Sequence, residues 1–408
     1  MNESLLQPYR TVVTSFNPKT TVASESRSPS DYFEEGDWVL CVAGCHNWVS
    51  CAVSNGEVQV YDQDRMHCLQ TYKMGSSSRE SQVTDIQGDA CSSHPFTLAT
   101  TSSNGCLTLF DIRQQSVPVC QIHLPRSEEQ ALSVSLGFDG TLAAVGSSRA
   151  KIHFFDIRST RSLLGTYNQV HTGEITKVRF QTLTSFGTTS TTTPILVSAA
   201  EDGLACVFDT SQPSEEAAVK NVLAVQSPIR QVGFFGPNSD AIYCLTGSES
   251  LKLWRIDDSI CRKDYGDDLR QRLSQLNENE GSEIEYLVDC SWDSSRQELL
   301  LLAGNTNGMA SLFKVQEENI SILHRLGGGH RGVVRAWGLL STNVFVTVGE
   351  DARMCEWNRM CKQLHVAHSV SHKSASAIPV RKLTSHPGQK AGGGPLRRQR
   401  GRMTASPY

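Results

Sequence analysis

No stretch of the 408 residues reaches the roughly 18 consecutive apolar side chains that a bilayer-spanning helix needs, and the opening MNESLLQPYR carries no apolar signal region. The expectation is a soluble, intracellular chain, cytoplasmic or nuclear or both, without membrane contact. Aromatic residues are scarce, at 7 %, so the core must be assembled largely from small aliphatic side chains. No two of the thirteen cysteines have CxxC spacing. Their number is odd, and Cys41, Cys51, Cys106, Cys206, Cys244, Cys290 and Cys355 sit inside apolar runs. There a free thiol behaves as a small buried hydrophobe, which suits a reducing compartment and excludes a disulfide frame. Cys361 with His365, His368 and His372 lacks a second cysteine at a finger-like distance, so no metal is expected. Phosphate loops and GxSxG are also missing, so neither a cofactor nor an enzymatic activity is expected. Acidic residues are missing from Arg359 to Tyr408, which holds ten Lys or Arg, whereas the preceding residues hold 28 basic and 42 acidic, a net of −14. An acidic body therefore carries a basic tail.

What is present is a repeat. A short apolar strand, a small-residue turn and a second strand ending in an aromatic recur seven times. The aromatics are Tyr61, Phe110, Phe155, Phe208, Trp254, Phe313 and Trp357, at intervals of 49, 45, 53, 46, 59 and 44 residues. Asn55-Gly56, Asn104-Gly105, Asp202-Gly203 and Asn307-Gly308 precede four of them. Such dipeptides accept the positive φ of a type I′ hairpin at little cost and would fix strand register. Alternation of Val58 and Val60 with Glu57 and Gln59 is the period of a half-buried strand.

This pattern resembles the WD40-repeat β-propellers, and SNGEVQVYD, VHTGEITKVRF, VSAAEDGLACVFD and GGHRGVVRAW…VGEDARMCEW are similar to the family of WD repeat-containing protein 89. The likeness covers about residues 10–370 and implies an all-β, seven-bladed propeller. It also implies a structural hydrogen-bonded tetrad within a blade: His330, Thr347, Asp351 and Trp357 in the last repeat, and His171, Ser198, Asp202 and Phe208 in the fourth. Asp would accept from imidazole and imidazole from the hydroxyl, satisfying groups that are costly to bury unpaired. A His-Asp-Ser set also suggests a hydrolase triad. Its recurrence in two repeats argues instead for a strut, since a nucleophile occurs once, in a cleft.

Ring closure needs an outer strand for the last blade. Residues 10–16 are the candidate and 362–370 the competitor, with residues 1–9 expected to be disordered. Residues 181–194 read as a solvated Ser/Thr-rich loop. Residues 256–285 read as an acidic insertion holding a short amphipathic helix, with Leu269, Leu273 and Leu276 on one face behind a capping Asp267 or Asp268. Residues 371–408 read as a disordered basic tail, whose Arg397, Arg398, Arg400 and Arg402 suit a nuclear signal or contact with polyanions such as nucleic acid.

The expected function is a non-catalytic protein-interaction scaffold, monomeric on its own and with other proteins as partners. Two segments, SSNGCLTLFDIR and GSSRAKIHFFDIR, place Arg113 two after Asp111 and Arg158 two after Asp156. They resemble the box by which cullin-4 substrate receptors dock the ligase adaptor, although Phe110 and Phe155 replace the usual Trp, and Asn104 and Arg149 the turn Asp. The plainer alternative is that Asp and Arg finish the strand and pair locally. A third reading, a nuclear or ribosome-assembly factor, rests on the tail.

Overall fold

A computed structural model describes residues 4–14, 37–45, 47–74, 81–88, 97–114, 117–158, 163–184, 190–277 and 283–360. The period-two runs fold into seven sheets, each built on four antiparallel strands, with a fifth strand added to one of them. The strands of each blade, from the inside out, are a, b, c and d. The a strands are Val39–Cys45, Val83–Gly88, Ala131–Gly137, Ile175–Thr184, Ile229–Phe235, Tyr286–Asp293 and Val334–Leu339. Each a strand contacts the next, and the seventh contacts the first, so the sheets close into a ring. The repeat aromatics lie on the c strands. Tyr61, Phe110, Phe155, Phe208, Phe313 and Trp357 are at most 3 % exposed and Trp254 is 9 % exposed, so they are the large side chains wedged between blades.

The b–c turns are built alike in all seven blades, but not as type I′ hairpins. In Val53–Gly56 the Gly56 N–H donates to Val53 O, and only the last residue has positive φ. This is a type I turn followed by a left-handed residue, a three-residue loop that type I′ geometry, with two positive φ values, does not match. The left-handed positions are Gly56, Gly105, Ala150, Gly203, Glu249, Gly308 and Ala352. Ala150 at φ 56° bears a cost that glycine avoids. Relief of about 1–2 kcal/mol against an entropy cost of about 0.5–1 kcal/mol predicts that Ala150→Gly is neutral to about 1 kcal/mol stabilising, as read by urea denaturation.

Closure uses more of the N-terminus than the sequence suggests. Arg10–Val13 pairs antiparallel with Arg353–Glu356 as the d strand of blade 7. Ser4–Leu6, within the span expected to be disordered, adds a fifth strand to blade 6, parallel to His324–Leu326. The reason is burial: Leu6 is 2 % exposed and packs with Leu312, Phe345 and Trp357. The competing closing segment 362–370 lies outside the described residues.

Both insertions are more regular than expected. The Ser/Thr-rich segment is largely a longer a–b hairpin, pairing Thr182 with Thr192 and Thr184 with Ser190, because β-branched residues favour extended pairing over a loop. Within 256–285, Cys261–Asp264 is the d strand of blade 5. The helix Leu269–Leu276 follows, and it buries Leu269 and Leu273 among Leu245, Leu251, Tyr265 and Phe313. It thus docks on its own propeller, leaving Leu276 38 % exposed. Asp268 is the N-cap residue but makes no side-chain capping bond, and Asp267 accepts instead from Ser248 Oγ at 3.2 Å. No helix among the described residues is long and apolar enough to cross a membrane.

Candidate functional site

The meander puts the b–c turns and d–a connections on one face, and the a–b and c–d turns on the other. On the first face the d–a connection brings each histidine over the b–c turn of its own blade. In blade 7, His330 Nδ1 lies 3.0 Å from Asp351 Oδ1 and Nε2 lies 2.7 Å from Thr347 Oγ1, which also accepts from Trp357 Nε1 at 2.7 Å. In blade 4, His171 Nδ1 lies 3.1 Å from Asp202 Oδ2 and Nε2 lies 2.6 Å from Ser198 Oγ. Phe208 packs there without a donor. Ser198 is 0 % exposed and His171 6 %, so no substrate carbonyl reaches the hydroxyl and the geometry is that of a strut.

The two histidines titrate in opposite directions. Burial pulls His330 down, but the bond to Asp351, with Cys355 beside it, outweighs that and carries the ring up to about 9. At neutral pH it is an imidazolium, so Nε2–H donates to Thr347, the reverse of the expected direction. His171 is lowered because burial exceeds the pull of Asp202, and its neutral ring accepts from Ser198. Sign follows from linkage. The His330 contribution is complete below the ordinary value of 6.5 and is lost as pH rises through about 9, whereas that of His171 is present above 6.5 and lost as pH falls through its folded value. Wild type should therefore lose on the order of 2–3 kcal/mol between neutral pH and pH ~10, and His330→Gln should flatten that slope in urea melts.

A third buried network escaped the sequence analysis. In blade 3, Glu129 Oε1 accepts from Ser147 Oγ at 2.5 Å and lies 2.9 Å from His153 Nε2, while His153 Nδ1 lies 3.0 Å from Thr166 Oγ1. The carboxylate and the imidazole have exchanged elements relative to the other tetrads: Glu129 comes from the d–a connection and His153 from the c strand. His153, two before Phe155, is the only histidine at that position among the seven repeats, and this was the available signal.

The a strands are edge strands, with one row of N–H and C=O groups turned to the central channel. All seven carry a register shift at the same place, between Val39 and Cys41 in blade 1 and between Ile175 and Lys177 in blade 4. Past the shift, side chains of one blade satisfy the edge of the next. Asp85 accepts from Val134 N at 3.1 Å and Gln87 from Leu136 N at 3.1 Å. Ser133 accepts from Val178 N at 3.2 Å and Ser135 from Phe180 N at 2.8 Å. Hydroxyls donate to edge carbonyls in the same way, Thr84 to Ala131 O and Thr176 to Ile229 O, both at 2.6 Å.

A charge cluster sits within this ladder. Lys177 Nζ and Arg179 Nη1 each lie 3.1 Å from Asp85, reaching past blade 3, and Ser133 Oγ donates to Asp85 at 2.7 Å. Burial alone would raise the Asp85 carboxyl, but the two cations and Ser133 hold it well below the usual carboxylate range. Asp289 of blade 6 accepts from Tyr243 Oη at 3.2 Å and Cys290 N at 2.7 Å, and burial pushes it up. A Cβ on Gly233 would stand 2.6 Å from Tyr243 Oη, so glycine there admits the phenol to the channel wall.

On the second face, blades 2 and 3 present matched Asp–Arg pairs. Arg113 Nε and Nη2 donate to Asp111 at 2.9 and 2.6 Å, and Arg158 Nε and Nη2 to Asp156 at 3.0 and 2.9 Å. The side chains of Arg113 and Arg158 are 63 % and 68 % exposed. Arg359, counted above with the basic tail, is instead buried. Its side chain is 1 % exposed and pairs with Asp293 at 2.7 Å and Glu298 at 3.1 Å, tying blade 7 to blade 6. The tail residues Arg397, Arg398, Arg400 and Arg402, and the set Cys361, His365, His368 and His372, lie outside the described residues.

No family model matches the chain. It is 26 % identical over 324 residues to the WD repeat-containing protein 89 homolog of Dictyostelium discoideum, spanning 78 % of this chain and 82 % of that protein. It is 25 % identical over 337 residues to the WD repeat-containing protein GTS1 of Arabidopsis thaliana, spanning 79 % and 81 %. Among solved structures, a chain in the crystal structure of the mitotic checkpoint complex superposes with a TM-score of 0.62 at 14 % identity, covering 88 % of this chain and 97 % of that one, a likeness of fold alone.

Proposed function

We propose that this chain, a seven-bladed WD-repeat β-propeller, is a non-catalytic protein-interaction scaffold that docks partners on the c–d corner of blades 1 to 3. The observation that carries this reading is the composition of that corner. Leu69, Val117, Val119, Leu163 and Leu164 are 40–63 % exposed on or beside the d strands, next to the exposed Arg113 and Arg158. Blade 1 is joined to blade 2 here through Tyr72 Oη, which donates to Asp111 O and Gln114 O, both at 3.2 Å. Exposed aliphatic groups interleaved with arginines have the chemistry of an interface core, where the stems bury and the guanidinium heads select.

The two Asp–Arg pairs close locally, as the plainer alternative expects. The finer reading, in which the partner is the adaptor of a cullin-4 ubiquitin ligase, rests on the resemblance of these segments to the docking box and on the exposure of both arginines. Each guanidinium is held in plane by its own carboxylate, so two rigid forks are offered from adjacent blades at low entropic cost. A pull-down compares wild type with Arg113→Ala/Arg158→Ala, with melts confirming that both are folded. Loss of partners from the double variant, with unchanged melting, is the expected outcome, and recovery of the adaptor among those lost supports the finer reading. Retention of every partner would move the docking face elsewhere.

A further inference from the structure

The channel ladder breaks between blades 4 and 5. In blades 3 and 4 the edge N–H groups at the fourth and sixth places of the a strand are accepted by Asp85, Gln87, Ser133 and Ser135 of the preceding blade. The equivalent groups in blade 5 are Val232 N–H and Phe234 N–H, as the registers Val178↔Ser198 and Val232↔Cys244 show. The preceding blade offers them Lys177 and Arg179, which can only donate. The matching group of blade 6, Trp292 N–H, stands opposite Gly233, which has no side chain. None of these three N–H groups has an acceptor among the described residues.

The same groups line one cleft. It holds about 260 Å³, opens toward the a–b and c–d face between blades 4, 5 and 6, and is bounded by Arg179, Thr182, Val232, Phe234, Ser291, Trp292 and Ser294, among others. Arg179 Nη1 is committed to Asp85, Ser133, Val134 O and Val178 O, which fixes the guanidinium. Its Nε and Nη2 have no acceptor among the described residues, nor do the hydroxyls of Ser291 and Ser294. The carboxylates on the flanking strands are engaged: Asp85 with Lys177 and Arg179, Asp289 with Tyr243 and Cys290 N, and Asp293 with Arg359. Burial also raises Asp289, which weakens the second negative charge acting on Arg179.

A concave site with a fixed cation and several unanswered donors, its neighbouring carboxylates all engaged, is complementary to an oxyanion. We infer that this cleft binds a carboxylate or phosphate group, which takes the place in blade 5 that Asp85 and the serines take in blades 3 and 4. This site is separate from the corner of blades 1 to 3 and stands or falls independently of it. The acidic body repels anions as a whole, so binding here draws on aimed donors and outlasts matched additions of chloride.

The test is isothermal titration of the full chain with inorganic phosphate and with a short oligoglutamate peptide, at constant ionic strength. Two variants accompany wild type. Arg179→Ser copies Ser135, removing the cation and supplying an acceptor for Phe234 N–H, and Asp85 keeps Lys177. Ser294→Trp fills the mouth and leaves the charge cluster untouched. Binding by wild type that weakens about tenfold or more in both folded variants is expected. Phosphate without peptide identifies a small free anion as the occupant, and peptide competing with phosphate identifies an acidic segment of a partner. No binding of either titrant to wild type, or equal binding by both variants, overturns the assignment.

Discussion

Replacing Asp85 with alanine is expected to destabilise the propeller by about 3–5 kcal/mol, the cost typical of breaking a buried ion pair from one side. Asp85 is 2 % exposed and serves four partners: Lys177, Arg179, Ser133 Oγ and Val134 N. Without it two cations face each other in the channel wall and one edge N–H is left bare. The damage lies in what is left unpaired, so Asp85→Ala combined with Lys177→Ala and Arg179→Ala should recover part of the loss. Urea midpoints of the single and triple variants measure this, and an equal or larger loss in the triple variant would refute the argument. The same pairing sets an acid limit. The Asp85 carboxyl is held far below its ordinary value, so its contribution is present above about pH 4 and is lost as pH falls toward the folded value.

Removing residues 1–13 should be at least as damaging. That deletion strips the d strand from blade 7, the fifth strand from blade 6 and the Leu6 side chain from its pocket. It leaves the c strand of blade 7, Arg353–Asn358, as an open edge ready to pair with another chain. Thr14, whose carbonyl accepts from Gln59 Nε2 of blade 1 at 2.8 Å, loses the strand that positions it. The truncated chain is expected to elute as soluble aggregate on size exclusion and to melt well below wild type. Leu6→Ala separates packing from strand pairing. It should cost about 2–4 kcal/mol while leaving a monomer, and a variant that melted like wild type would show that the Ser4–Leu6 strand does not hold the ring.

Much of this architecture is legible in the sequence, because it depends on local chemistry. Period-two alternation decides which residues face a neighbouring blade, turn residues decide where strands reverse, and an aromatic every 44–59 residues marks each blade. The six-residue separation from Asp351 to Trp357 and from Asp202 to Phe208 is legible as a recurrence, while their pairing with His330 and His171, 21 and 31 residues before the Asp, came from the resemblance to WD40 repeats. The turn type is not legible there, since Asn-Gly suits more than one loop and only φ separates them. The tertiary structure alone decided what crosses between blades. Lys177 and Asp85 are 92 residues apart, Arg359 and Asp293 are 66 apart, and Ser4–Leu6 meets a strand more than 300 residues later. Each of these contacts depends on the curvature of a closed ring, and ring closure places side chains by distance in space and not along the chain. The cleft between blades 4, 5 and 6 belongs to the same class. It exists because two donors follow two acceptors around the channel, an order that becomes visible only when the strands stand side by side.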